Sequence, residues 1–218
     1  MFKREFIFFI RNPLTYLIPL LFFILVCLLF PLSISPNNHL LQTMGAGIIW
    51  IAIVLANLLS LPQLFQDDYE DGLLDQWLIA PSSLSTLISV KMLIYWVFYI
   101  LPMILLAPVL ALMYHLSFFA VEILMMSLLL GTPIIVMQGA IVASLCVGLR
   151  RGGLLLAIVL LPLYISILIF GSTVVTAAEQ GFPVLFQLDL LGALLILAMV
   201  FGPSAIAFSL RVGIIYGY

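Results

Sequence analysis

Charge is what this sequence has least of: 7% of its 218 residues are Asp, Glu, Lys or Arg, against about a quarter in ordinary soluble domains. A soluble globular fold is therefore excluded. With no basic stripe anywhere along the chain, so is a nucleic-acid-binding surface. Cysteine is nearly absent as well. Cys27 and Cys146 both lie inside apolar runs without paired spacing, so they read as buried small hydrophobes and give neither a disulfide framework nor a metal site. The phosphate loop G-x-x-x-x-G-K-S/T is missing, and neither Lys3 nor Lys91 has the required glycines before it. Any ATP hydrolysis must then be done by another chain. Paired ionisable residues at mid-span are lacking too, every charge falling near a predicted span end. That argues against an intramembrane protease or lipid-modifying enzyme, and no catalytic residue, metal or cofactor of its own is expected.

What is present is apolar length. Hydrophobic residues make up 66% of the chain and the mean hydropathy is +1.37, which places it in a bilayer. A bilayer core takes roughly 20 mostly apolar residues per helix, and six such runs occur, at 14–34, 46–66, 87–114, 120–148, 153–171 and 190–210. The expectation is an all-α integral membrane protein forming a single transmembrane domain over 1–218, with helices and not a barrel as its spans. The first run exceeds the about 7 to 15 apolar residues of a secretion signal and has no small-x-small site after it, so it is expected to stay attached.

All seven Lys and Arg fall on one predicted side: Lys3, Arg4 and Arg11 before span one, Lys91 near the start of span three, Arg150 and Arg151 between spans four and five, and Arg211 after span six. Basic residues flanking spans stay cytoplasmic, which places both termini in the cytoplasm. An odd number of spans would break that pattern. Within residues 1–13, Phe2, Phe6, Phe9 and Ile10 recur at helical spacing with Lys3, Arg4 and Arg11 opposite, which predicts a helix lying in the membrane interface. Asn12 and Pro13 then turn the chain into the first span.

The loop at 67–85 gathers five of the nine acidic residues. After Gly72, the apolar Leu73, Leu74, Trp77 and Leu78 fall along one side of a short helix, with carboxylates toward its start where the helix dipole favours them. Pro81 ends the segment, and Ser82 or Ser83 can cap the next helix. A Trp flanked by Leu is the usual make-up of an interface anchor, and the carboxylates suit a basic partner groove.

On the predicted outer side, His39 and His115 stand at loop or boundary positions without ligand spacing, where histidines are usually structural, and Glu122, seven residues beyond His115, could share its helical face to form an ion site. Pro133, within Gly131-Thr132-Pro133, removes a backbone hydrogen bond from span four. Gly139 and Ala143 permit close helix approach. The stretch from Thr176 to Leu188 is expected to form short re-entrant or interfacial pieces inside a polar break at Ser172 to Asp189.

Phe65-x-x-Asp68-x-x-Asp71-Gly72 resembles the cytoplasmic motif of the CcmB family, membrane subunits of the haem exporter of cytochrome c maturation. Phe30-Pro31-Leu32-Ser33-Ile34, Gly47-Ile48-Ile49-Trp50, Leu130-Gly131-Thr132-Pro133 and Val147-Gly148-Leu149-Arg150-Arg151-Gly152-Gly153 are similar to that family as well. The resemblance implies a type-2 ABC exporter permease fold in the bacterial inner membrane, with an interfacial N-terminal helix and a cytoplasmic coupling helix. It further implies that Phe65, Asp68, Asp71 and Gly72, joined by Leu73, Leu74 and Trp77 of the same segment, contact a CcmA-like ATPase that supplies ATP hydrolysis. CcmC-like and CcmD-like membrane subunits, two copies of this chain, and haem passed to the chaperone CcmE complete the expected assembly, in which His39, His115 and Glu122 are the outer-side candidates for a haem or ion contact. The chain's own role is either to conduct haem or to transmit ATP-driven motion. A permease of another type-2 exporter, for lipid, polysaccharide or drug, shares the same fold.

Overall fold

The computed structural model describes residues 13–33, 38–79, 83–147 and 152–216. The interfacial helix expected at the N-terminus, and the Arg150–Arg151 pair, lie outside them. The described residues form α1 (Pro13–Ser33), α2 (Asn38–Ser60), α3 (Gln63–Glu70), α4 (Leu73–Ile79), α5 (Leu84–Tyr95), a π-helical turn (Trp96–Ile100), α6 (Leu101–Met113), α7 (Phe118–Leu145), α8 (Gly152–Glu179) and α9 (Leu185–Tyr216). Six stretches are long and apolar enough to cross a membrane, with α5, the π turn and α6 together making the third. Among the described residues this is an all-helical, six-span membrane-protein architecture.

Spans two and four are the centre of the bundle. Their apolar windows are 67% and 61% buried by the rest of the chain, against 22% for spans one and five. α7 packs most extensively on α9 and α8, while α2 lies against α1 and α8. Small residues make that closeness possible, because apolar lipid gives helices no hydrophobic reason to associate and tight packing must supply it. Trp50 of α2 is fully buried with its indole wedged between Gly131 of α7 and Gly171 of α8, and a Cβ at either glycine would collide with the ring. Its Nε1 donates to Ser127 Oγ at 3.4 Å. Gly139 likewise admits the Tyr164 hydroxyl and Leu61.

Helix bounds differ from the expected spans where hydroxyl side chains interrupt the apolar runs. α8 continues through Ser172, Thr173 and Thr176 to Glu179, and α9 starts at Leu185, so only a tight turn at 180–184 separates them. The reason is local. Thr173 Oγ1 donates to the Ile169 carbonyl at 2.7 Å and Thr176 Oγ1 to the Ser172 carbonyl at 3.2 Å, so both hydroxyls are satisfied without interrupting the helix. The re-entrant pieces expected at Thr176–Leu188 are therefore absent, replaced by the two helix ends and Gly181 at φ 76°. At the start of α2, Thr43 Oγ1 donates to the His39 carbonyl at 2.8 Å, and the helix begins at Asn38 in place of the loop expected up to Gly45.

The π turn precedes Pro102, which has no N–H to offer the Phe98 carbonyl and whose ring crowds it. The widened turn is closed by Leu101 N–H donating to the Trp96 carbonyl. Trp96 then donates from Nε1 to Thr132 Oγ1 at 2.9 Å, tying span three to span four beside Pro133.

Candidate functional site

The 23 residues of α2 span about 34 Å at 1.5 Å per residue, enough to cross the apolar core. α3 continues the second apolar stretch past a turn at Leu61–Pro62, and its Asp67, Asp68 and Glu70 mark the end of that stretch. Asp71 closes α3 with its N–H on the Asp67 carbonyl at 3.0 Å. Gly72 follows at φ 67°, a conformation costly for any other residue, and lets α4 fold back. Ser83, one of the two expected caps, accepts from Thr86 N–H at 3.4 Å and starts α5.

The residues expected to face a partner divide in two. Phe65 and Leu74 are in the hydrophobic core and Asp68 is buried, so these three are taken up by the chain itself. Leu73 is half-buried, and Trp77 is half-buried against that core with Lys91 Nζ 5.5 Å from its ring. The apolar side of α4 is thus the inward side, since its own bundle offers the nearest apolar surface. Among the described residues of the segment, those exposed are Gln63, Asp67, Glu70, Asp71, Gly72 and Gln76.

Asp68 pairs with Lys91 of α5, and Lys91 Nζ also lies 5.8 Å from the centre of the Phe65 ring. A buried pair of this kind persists because each charge is compensated and the cation is further held by ring faces. Beside it a small cleft of about 70 Å³ is bounded by Tyr16, Asp67, Asp71, Tyr95 and Tyr99.

Deeper in the bundle, a polar cluster joins side chains of three spans to the backbone of a fourth. The Tyr95 hydroxyl lies 2.7 Å from Ser60 Oγ and donates to Asn57 Oδ1 at 3.0 Å. Asn57 Nδ2 donates to the Tyr164 hydroxyl at 3.2 Å, which donates in turn to the Ile135 carbonyl at 3.1 Å. These groups are scattered through apolar runs in the sequence, and no spacing rule links them.

At the opposite end, His39 is exposed in the first turn of α2 and lines a cavity of about 280 Å³ with Gln42, Thr43, Thr176, Glu179 and Gln180. His115 is exposed in the turn before α7 at φ 56°, and Glu122 is exposed on α7; neither lines that cavity. Among the described residues no three His, Cys, Asp or Glu side chains are grouped so as to hold a metal ion. Glu179 organises this end instead. Its Oε1 accepts from Gln42 Nε2 at 2.6 Å, and its Oε2 accepts from Ser117 N–H at 3.0 Å and Ser117 Oγ at 2.9 Å. Nothing in the sequence around Glu179 marks it. Its partners lie 62 and 137 residues away.

Residues 1–213 match the family model described as CcmB protein. The chain is 45% identical to Heme exporter protein B of Pseudomonas aeruginosa over 94% of its own length and 92% of that protein's. It is 42% identical to Heme exporter protein B of Haemophilus influenzae, covering 97% and 96% of the two chains. Against Heme exporter protein B of Paracoccus denitrificans identity is also 42%, over 89% of each.

Proposed function

The chain belongs to the CcmB family, and on that footing we propose that it is the membrane subunit through which a cytoplasmic ATPase drives haem export and delivery in c-type cytochrome biogenesis. It contains no nucleotide-binding motif, so ATP hydrolysis resides in a CcmA-like partner. CcmC-like and CcmD-like membrane subunits and two copies of this chain complete the complex, which delivers haem to the chaperone CcmE. The inner membrane is its location, with both termini cytoplasmic, as the one-sided placement of Lys and Arg supports.

The observation that carries the docking part of this reading is the α3–α4 segment. It stands at the end of span two and exposes Asp67, Glu70, Asp71 and Gln76 while Phe65, Leu74 and Trp77 anchor it to the bundle. A rigidly seated acidic surface suits a basic groove on a soluble subunit. Anionic lipid, by contrast, repels it.

Affinity purification of the tagged chain from gently solubilised membranes, with mass spectrometry and haem spectroscopy, tests the proposal. Co-recovery of an ATPase subunit together with haem-handling membrane proteins is expected. Charge reversal by Glu70→Lys with Asp71→Lys is expected to remove the ATPase from the preparation while membrane insertion stays unchanged. Recovery of an ATPase without haem or those partners moves the function to another type-2 exporter, and undiminished recovery from the charge-reversed chain overturns the docking assignment.

A further inference from the structure

α3 and α5 share little backbone packing, yet they are joined by a buried ion pair. Asp68 reaches across from α3 and Lys91 from α5, and Lys91 is held further by Phe65 of α3 and Trp77 of α4. Apolar packing alone lets surfaces slide, whereas a charge pair flanked by two rings fixes one register. One helical turn beyond Lys91 stands Tyr95, and its hydroxyl enters the cluster of Ser60, Asn57 and Tyr164 that joins spans two, three and five. The Tyr95 ring stacks on Tyr99 inside the π turn at 4.5 Å. The turn's first residue, Trp96, bonds Thr132 of span four. π turns of this kind tend to sit where helices must do something other than span.

We infer that Lys91 is the positioning residue through which the docking segment moves span three, so that a tilt of α3–α4 is passed to α5 and from there to the polar cluster and the π turn. This rests on the reading that α3–α4 meets an ATPase partner. It adds the residue that carries the motion inward. A merely structural pair would hold the segment in place without transmitting anything, and the two roles separate experimentally.

The test uses the purified complex in nanodiscs, with Cys27 and Cys146 replaced and spin labels placed at two pairs of exposed positions. Gln76 with Leu154 reports movement of the docking segment, and Leu112 with Leu185 reports movement of the far end of span three. Distances are compared without nucleotide and with a non-hydrolysable ATP analogue. The double variant Asp68→Leu with Lys91→Met removes the link without leaving a lone buried charge, and Lys91→Arg retains it. In the parent and in Lys91→Arg both distances change. In the double variant the first change persists and the second is lost, and cytochrome maturation in cells falls about tenfold while ATPase recovery is maintained. Persistence of the second change overturns the inference, and loss of both shows a structural role only and also overturns it. If no ATPase is recovered with the parent chain, the docking reading fails first and the inference falls with it.

Discussion

The Lys91 ammonium and the Asp68 carboxylate, 23 residues apart in sequence, form an ion pair with only 9% and 5% of their side chains exposed. Lys91→Met takes the counter-charge from a buried carboxylate and is expected to cost about 3–5 kcal/mol, whereas Asp68→Leu with Lys91→Met together is expected to lie within about 1–2 kcal/mol of the parent. Thermal unfolding of the detergent-solubilised protein measures both. A double variant as unstable as the single one would show that the pair is not the interaction being lost.

Trp50 fills the space that Gly131 and Gly171 leave open. Gly171→Val forces side-chain atoms into the indole and is expected to lower stability by about 1–3 kcal/mol or more. Combining it with Trp50→Leu, which vacates the site, is expected to restore part of that loss, because the two residues share one volume and their effects cannot add independently. Additive losses in the same melting assay would contradict the wedge.

The polar cluster makes a narrower prediction. Tyr164→Phe deprives Asn57 of an acceptor and the Ile135 carbonyl of a donor. Hydrogen bonds between membrane helices average about 0.6 kcal/mol and reach about 1.7. A double-mutant cycle of Asn57→Leu and Tyr164→Phe is therefore expected to give a coupling energy of about 0.5–2 kcal/mol. A value indistinguishable from zero would mean that the cluster's members act separately.

How much of this was legible in the sequence follows from the range of each signal. Apolar runs of span length are local, and they yield six helices. The Ser83 cap and the turn at Gly72 are also local and stand where the residues suggest. Ser172, Thr173 and Thr176 mislead because hydroxyls read as loop-formers in water, yet in apolar surroundings they bond back to carbonyls of their own helix. Trp77 misleads differently: its position on a helical side can be read from spacing, but whether that side meets a partner or its own bundle depends on where α5 passes. Lys91 counts in the sequence only as one basic flank among seven, and its pairing with Asp68 emerges only when the turn at Gly72 brings the chain back so that Lys91 of α5 meets Asp68 of α3.

Orientation is testable at two exposed positions on opposite ends, Gln76 of α4 and Gln180 in the turn after α8. With Cys146 replaced, Gln180→Cys is expected to react with a membrane-impermeant maleimide applied to spheroplasts, and Gln76→Cys only after permeabilisation. The reverse pattern would invert the topology and place the acidic segment out of reach of any cytoplasmic ATPase.

Glu179 holds three elements together at the end opposite the acidic segment, through Gln42 of α2 and through the amide and hydroxyl of Ser117, which itself caps α7 by accepting from Ala120 N–H at 3.3 Å. Replacing the carboxylate by Glu179→Ala removes hydrogen bonds to a charged acceptor, each worth about 1.5–3 kcal/mol. Opening at that end is then expected to become about 10- to 100-fold more frequent, as amide hydrogen exchange at Ser117 would register. Amides at mid-span, around Trp50 and Ser127, are expected to exchange as in the parent, because the wedge there does not involve Glu179. If exchange rises equally at both places, Glu179 supports the whole bundle. If it rises at neither, the outer contacts do not hold this end closed, and the cavity bordered by His39 and Gln180 is kept in shape by helix packing alone.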